Sequence, residues 1–329
     1  MKTRTIDLEL DESERWAGVI GADGTSARRV ARESLSDLPA IVRALGGVFR
    51  ATYAWSGGRY VGEIDAWAEA LGLGRGEATL LQCSYELSHS SGFLSGLPGR
   101  IFGCTAAVGW VPSLGMVHVR SLDWPLPGIG PATRLFRFRR GPRAFVSVGI
   151  AGFVGVLSGM LPGAYSVTIN WAPPVERPGF GFGPAFLLRE VLEECDSYEE
   201  AVHVLRTTPL ASSVFFVVCG TRRGQACVIE RTRDDASVRR AARPWLVQAN
   251  HHVARRFAAR NAAFDRLGMD VEESVERQRA LEERLATGPT RTTLARVATS
   301  LEVDPVFNGD THQHMAFCPR SGQVRVWSM

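Results

Sequence analysis

No two of the six cysteines (83, 104, 195, 219, 227 and 318) are spaced as Cys-x-x-Cys, which excludes dithiol redox motifs and cysteine-based zinc sites. Four of them lie in or beside apolar runs, the setting of reduced core thiols. No apolar run is long enough to span a bilayer, and Met1-Lys2-Thr3-Arg4 leads into an acidic segment rather than an apolar signal core. The expectation is therefore no stable membrane insertion and a cytoplasmic location, with an Arg/Ala/Gly-rich composition that suits a bacterium. A net charge of +4 is mild, and the arginines are scattered without a nucleic-acid motif. Such a surface is solvated rather than a nucleic-acid footprint. Gly179-Phe180-Gly181-Phe182-Gly183 has neither the feeding strand nor the Lys-Ser/Thr of a phosphate loop. His251-His252 and His312-x-His314 find no suitably spaced cysteine, so no metal is expected.

What is present is a chain of 329 residues, 45% hydrophobic, enough for one large domain with a substantial core. The chemistry concentrates between Gly103 and Trp124. Gly103-Cys104-Thr105-Ala106-Ala107-Val108, a turn at Pro112 to Gly115, and His118-Val119-Arg120-Ser121-Leu122-Asp123-Trp124 read as a hairpin. Its return brings Arg120 and Asp123 back toward Cys104. A guanidinium beside a thiol favours the thiolate. A carboxylate there would hold an ammonium, and the ammonium to hand is the α-amine of Cys104 once the Gly103-Cys104 bond is cut. A self-cleaved chain would then carry nucleophile and base on one residue, the amine titrating at about 7.7 to 8.0. The same residues also read as a free cysteine in a core strand.

Taken in order, residues 1–103 read as mostly α, and 104–329 as strand-rich. Asp11 with Glu14 suggests a capping pair for a short helix. Ser26 to Leu45 reads as a helix stopped by Gly46-Gly47, Tyr60 to Leu71 as a third, and Gly74 to Ser88 as a fourth, with Ser88 to Gly99 as a loose exit. Then come a second hairpin (134–139 with 144–149), strands at 152–157 and 165–170, and helices at 185–195 and 198–206. Strands at 213–219, 226–231 and 245–249, a charged helical tract from Arg255 through Leu285, and strands at 312–317 and 323–327 follow. The pattern predicts an α+β fold with sheets stacked face to face and helices outside. Trp124, Phe153, Trp171, Phe180 and Phe182 supply an apolar setting for a substrate.

Gly-Cys-Thr followed by Arg-x-x-Asp-aromatic resembles the N-terminal nucleophile (Ntn) hydrolases of the choloylglycine hydrolase superfamily. Within it the chain is most similar to N-acylethanolamine-hydrolysing acid amidases and acid ceramidases, and more distantly to isopenicillin N acyltransferases. The likeness runs through Ile6-Asp7-Leu8-Glu9-Leu10, Glu14-Arg15-Trp16, Ser84-Tyr85-Glu86-Leu87-Ser88, Tyr198-Glu199-Glu200-Ala201-Val202, Thr208-Pro209-Leu210 and Gln248-Ala249-Asn250. The resemblance implies a four-layer αββα sandwich and self-cleavage at Gly103-Cys104, with the fragments 1–103 and 104–329 staying associated. It implies an amidase acting on a linear N-acyl amide through an acyl thioester, without a cofactor, and leaves homo-oligomerisation open. It assigns Asn250 to the oxyanion, Asn170 as a donor to the substrate or to the nucleophile's surroundings, and an active-site arginine that matches Arg277, with Arg279 close behind. The chain differs in carrying Ala106-Ala107 for Ser-Ile, Ser121 for Asn, and Trp171 for an acid. Transfer of the acyl group to an amine, and an unprocessed binding protein with this fold, are the other two readings.

Overall fold

The computed structural model describes residues 1–36, 38–55, 58–90, 103–173, 179, 181–241, 244–287 and 292–328. A short strand β1 (Thr3–Asp7) leads into six helices: α1 (Ala17–Ser36), α2 (Ala40–Ala44), α3 (Gly46–Trp55), α4 (Val61–Leu71), α5 (Arg75–Gln82) and α6 (Ser84–Ser90). The strands β2 (Gly103–Val111) and β3 (Gly115–Asp123) form the expected hairpin, and after α7 (Ile129–Ala132) come β4 (Thr133–Arg140), β5 (Arg143–Ile150), β6 (Ser158–Leu161) and β7 (Tyr165–Trp171). Then follow α8 (Pro184–Glu194), α9 (Tyr198–Thr207), β8 (Val214–Cys219), β9 (Ala226–Arg231), β10 (Ala236–Arg240) and β11 (Trp245–Gln248). A 3-10 stretch (Arg255–Ala262), α10 (Ala263–Arg266), α11 (Val271–Ala286), α12 (Leu294–Ala298), β12 (Thr311–Cys318) and β13 (Gln323–Ser328) complete the chain.

Among the described residues the strands form two sheets. One has eight strands in the order β1-β4-β5-β6-β7-β8-β9-β10, the other five in the order β11-β2-β3-β12-β13. Strict alternation along β2 and β3 explains the layering, because successive side chains leave opposite faces. Ala106, Val108 and Met116 meet Phe215, Val217 and Val228 of the larger sheet, whereas Ala107, Val117 and Val119 meet Leu281 and Leu285 of α11 and Val297 of α12. On the far face of the larger sheet a third core joins Phe136, Phe138 and Tyr165 to Trp16, Leu188 and Leu192. Helix, sheet, sheet and helix are thus stacked in the expected αββα order.

Several expectations fail locally. Gly46-Gly47 opens α3 instead of ending a helix. A Cβ on Gly76 would collide with the Gly46 carbonyl, so these glycines serve the close crossing of α3 and α5. Residues 152–157 form no strand, since Gly152 at φ 93° turns the chain and pairing resumes only at β6. Asp11 to Trp16 forms turns, with α1 starting at Ala17. The strand β1 was hidden in a segment read as helical; it lies parallel to β4, with Ile6 opposite Phe138. Most of the predicted exit, 91–99, lies outside the described residues.

Candidate active site

The β2/β3 register puts Gly103 opposite Asp123 and Cys104 opposite Leu122. Cys104 is 1% exposed. Its Sγ accepts from Arg120 Nη2 at 3.1 Å, and the same guanidinium donates to Ile169 O at 2.8 Å and Ser158 Oγ at 2.6 Å. Arg120 is thereby clamped between the sheets, with its charge directed at the thiol.

The backbone N–H of Cys104 donates to Asn250 Oδ1 at 2.9 Å. Asn250 spends one amide N–H on Trp171 O at 2.8 Å, which leaves the second for a ligand. From α11, Arg277 donates through Nη2 to Asn250 Oδ1 at 2.8 Å and through Nη1 to Cys104 O at 3.1 Å and Thr105 Oγ1 at 3.2 Å. Arg279, two residues on, faces solvent and pairs with Glu283. Of the two, Arg277 is the one that lies beside Cys104. One turn earlier on the same face, Ser274 Oγ accepts the Asn250 N–H at 2.8 Å and lies 2.9 Å from His251 Nδ1.

Asp123 accepts from Ser121 Oγ and Thr311 Oγ1 through Oδ1. Its Oδ2 has no hydrogen-bond partner among the described residues. That oxygen would lie 3.0 Å from a Cβ on Gly103, so the carboxylate is stacked against the residue before the nucleophile. Burial pushes the Asp123 carboxyl up, against the opposing charge of Arg277, whose Nη1 is 3.8 Å from Oδ2. A buried carboxylate with one empty lobe is suited to receive a cation at the Gly103-Cys104 junction.

Asn170 corrects part of its expected role. Both its amide hydrogens go to backbone carbonyls, Gln248 O at 2.9 Å and Ala249 O at 3.2 Å, so it joins β7 to the segment carrying Asn250 and does not point a donor at substrate. Trp171 is fully buried; its indole donates to Ser88 Oγ at 3.2 Å and its ring meets Phe264 edge-on, so it is core and not an open wall. Trp124 and Phe153 share a cavity of about 40 Å³ with Gln82 and Leu81 of α5 and Ala27 of α1. Phe182 lines a different one of about 210 Å³ with Tyr53, Arg59 and Phe186. The four described aromatics therefore do not share one pocket, and Phe180 lies outside the described residues.

The histidines are spent elsewhere: His251 on Ser274, His252 on Glu230 at 3.1 Å, and His314 against the ring of Phe307. Burial pushes His251 and His314 down to about 4. Among the described residues no group of three or more His, Cys, Asp or Glu could hold a metal. All six cysteines are free and buried.

Residues 144–305 match the model of the acyl-coenzyme A:6-aminopenicillanic acid acyl-transferase family, a stretch that includes Asn170, Asn250 and Arg277. The N-acylethanolamine-hydrolyzing acid amidase of Oryctolagus cuniculus is 27% identical over 267 residues, 77% of this chain and 67% of that protein. The acid ceramidase of Heterocephalus glaber is 30% identical over 147 residues, 37% of each. The chain thus spans from about a third to two thirds of the curated relatives it matches. Among solved structures, the Caenorhabditis elegans N-acylethanolamine-hydrolyzing acid amidase ortholog superposes with a TM-score of 0.54 at 23% identity, covering 69% of this chain and 100% of that one. In its paired sheets and in these relatives the chain is similar to the Ntn hydrolases.

Proposed function

We propose that this chain is a cysteine amidohydrolase that cuts itself between Gly103 and Cys104 and then hydrolyses a linear N-acyl amide with an apolar acyl group. The observation that carries the reading is the empty lobe of Asp123, stacked on Gly103, beside a thiol that a buried arginine contacts. In the first step Cys104 Sγ bonds to the Gly103 carbonyl carbon, the C–N bond breaks, and the nitrogen takes the thiol proton. Water then cleaves the thioester, leaving a Gly103 carboxylate and a free Cys104 α-amine. The new ammonium inherits Asn250 Oδ1 as one acceptor and Asp123 Oδ2 as another.

In the second reaction the thiolate attacks the amide carbonyl of the substrate. The second N–H of Asn250 is a preorganised donor for the oxyanion. The α-amine passes the thiol proton to the departing amine, the acyl thioester forms, and water releases the acid. Arg120 donates to the Cys104 sulfur, and Arg277 holds Asn250, Cys104 O and Asp123 in one frame. Trp124, next to Asp123 at the end of the hairpin, is the apolar side chain assigned to the acyl group; the cavity of about 40 Å³ that it shares with Phe153 would have to open to admit an acyl chain. Residues 1–103 and 104–329 become two fragments held together by their shared core. The names of the amidase and ceramidase relatives support hydrolysis; the family model at 144–305 supports acyl transfer to an amine as a second reading. The partition of product between free acid and new amide separates the two.

Intact-mass measurement of wild type beside Cys104→Ala tests the first step. The expected result is two fragments, the larger beginning at Cys104, in the wild type and one unbroken chain in the variant. An unbroken wild-type chain between pH 4 and 9 would overturn the processing step.

A further inference from the structure

The helix α6 is short and polar, yet four of its described side chains are buried; besides Glu86 these are Tyr85 at 3%, Ser88 at 8% and His89 at 1% exposure. Tyr85, Ser88 and His89 reach one place, the end of β7 where it meets the start of β8. The Tyr85 hydroxyl donates to Ser213 O at 3.0 Å, and Ser88 Oγ accepts the Trp171 indole N–H at 3.2 Å. His89 Nε2 lies 3.0 Å from Ala172 O, with Nδ1 2.9 Å from Tyr85 O. A helix kept only for burial would not commit three buried polar groups to residues 171–172 and 213, because each must be fully matched to break even.

The gripped segment leads straight to the nucleophile. Trp171 O takes the Asn250 amide N–H at 2.8 Å, and Asn250 Oδ1 takes the Cys104 N–H at 2.9 Å. We infer that Tyr85, Ser88 and His89 are positioning residues: by fixing Trp171-Ala172 they fix Asn250, and through Asn250 the Cys104 backbone. This rests on the proposed processing and amidase reading, and it assigns the helix just upstream of the cut to the working site. The fragment 1–103 is then a component of the enzyme that the proposed cut leaves in place.

The test follows full-length chain made by cell-free synthesis, with fragment appearance timed by intact mass for wild type, Tyr85→Phe, His89→Leu and His89→Gln. Losing one of these buried bonds should slow cleavage roughly tenfold. His89→Gln, whose amide nitrogen falls where Nε2 stood, should recover most of the rate, a rescue that a role in packing alone would not give. Iodoacetamide labelling of Cys104, mapped by peptide and compared with the other five cysteines, reads the same grip without cleavage. It should rise in His89→Leu and stay near wild type in His89→Gln. An uncut wild type would overturn the processing reading alone, since the labelling pattern still decides the positioning. Wild-type rates and labelling in Tyr85→Phe and His89→Leu, or a glutamine variant no better than leucine, would overturn the positioning role.

Discussion

A buried ion pair ties residues 1–103 to the rest, and removing its charge on one side should be costly. Glu63 of α4 and Arg189 of α8 are both fully buried and meet in bidentate fashion, Nη1 to Oε2 at 2.5 Å and Nη2 to Oε1 at 2.7 Å. Glu63 also accepts from Trp16 Nε1 at 2.5 Å and Arg15 Nη1 at 2.9 Å. Arg189 reaches Glu193 at 2.7 Å and stands 3.9 Å over the Tyr60 ring. Burial pushes the Glu63 carboxyl up, but the charge of Arg189 and the N–H donors win, and its pKa lies below the usual value. Glu63→Gln keeps the shape and deletes the charge. Breaking one side of such a pair costs about 3–5 kcal/mol. At roughly 2–4 °C per kcal/mol for a chain of this size, the melting temperature should fall by roughly 6–20 °C. Differential scanning calorimetry in a Cys104→Ala background, where the chain stays whole, reads it. The double change Glu63→Leu with Arg189→Met should cost less than the two singles added, since neither member of the pair is left buried without the other and Glu193 keeps Arg140. A fall of under 2 °C for Glu63→Gln would refute the claim that this pair holds α4 to α8.

Other outcomes follow from the same geometry. Arg277→Met should slow self-cleavage and any amide hydrolysis roughly 100-fold, while Arg279→Met, on the exposed face, should leave both within twofold of wild type in the same time courses. Acid should destabilise the fold through its histidines. Burial holds His89, His251 and His314 at about 4 and His118 at about 3, below the ordinary 6.5, so the unfolded chain binds protons that the folded one refuses. Stability is then fullest above pH 6.5 and lost as pH falls toward 4, at about 1.4 kcal/mol per unit for each such group. Melting temperatures between pH 7 and 4 check this, and a flat profile would count against it. His118→Asn, which removes the ring lodged between Ser166 and Thr168, should flatten part of the slope.

How much of this was legible in the sequence differs by element. The hairpin followed from two β-branched and apolar runs and a Pro/Gly turn, and with it the return of Arg120 and Asp123 toward Cys104; the register came from the structure. The two-sheet sandwich followed from strand blocks flanked by amphipathic helices. What escaped was set by contacts across long sequence separations. Gly46-Gly47 looks like a helix stop until Gly76, some 30 residues on, is seen to need the space. The strand β1 is five residues long and exists because β4 offers it an edge. Asn170 and Asn250 both end apolar strands and look alike, yet one spends its amide on the backbone and the other keeps a donor. Ser274 could have been found: it lies three residues before Arg277, on the same helical face. Tyr85 and Ser88 lie in a stretch that carries the family likeness, but the grip they make with His89 could not be read, since Trp171, Ala172 and Ser213 lie far along the chain.

The parallel pairing of β1 with β4 carries a warning for anyone tempted to make residues 104–329 alone. A chain begun at Cys104 would leave the eight-residue strand β4 with an open row of N–H and C=O groups at the rim of the larger sheet. Phe136 and Phe138 would lose the cover of Trp16, whose ring now meets each edge-on. Such a rim recruits other copies of itself. The shortened product is expected to aggregate, and added peptide 1–90 to rescue it poorly, because six helices would have to fold onto a surface already taken. In the whole chain β1 covers that rim, so the order of translation, with β1 made before β4, is expected to keep the edge paired as it forms.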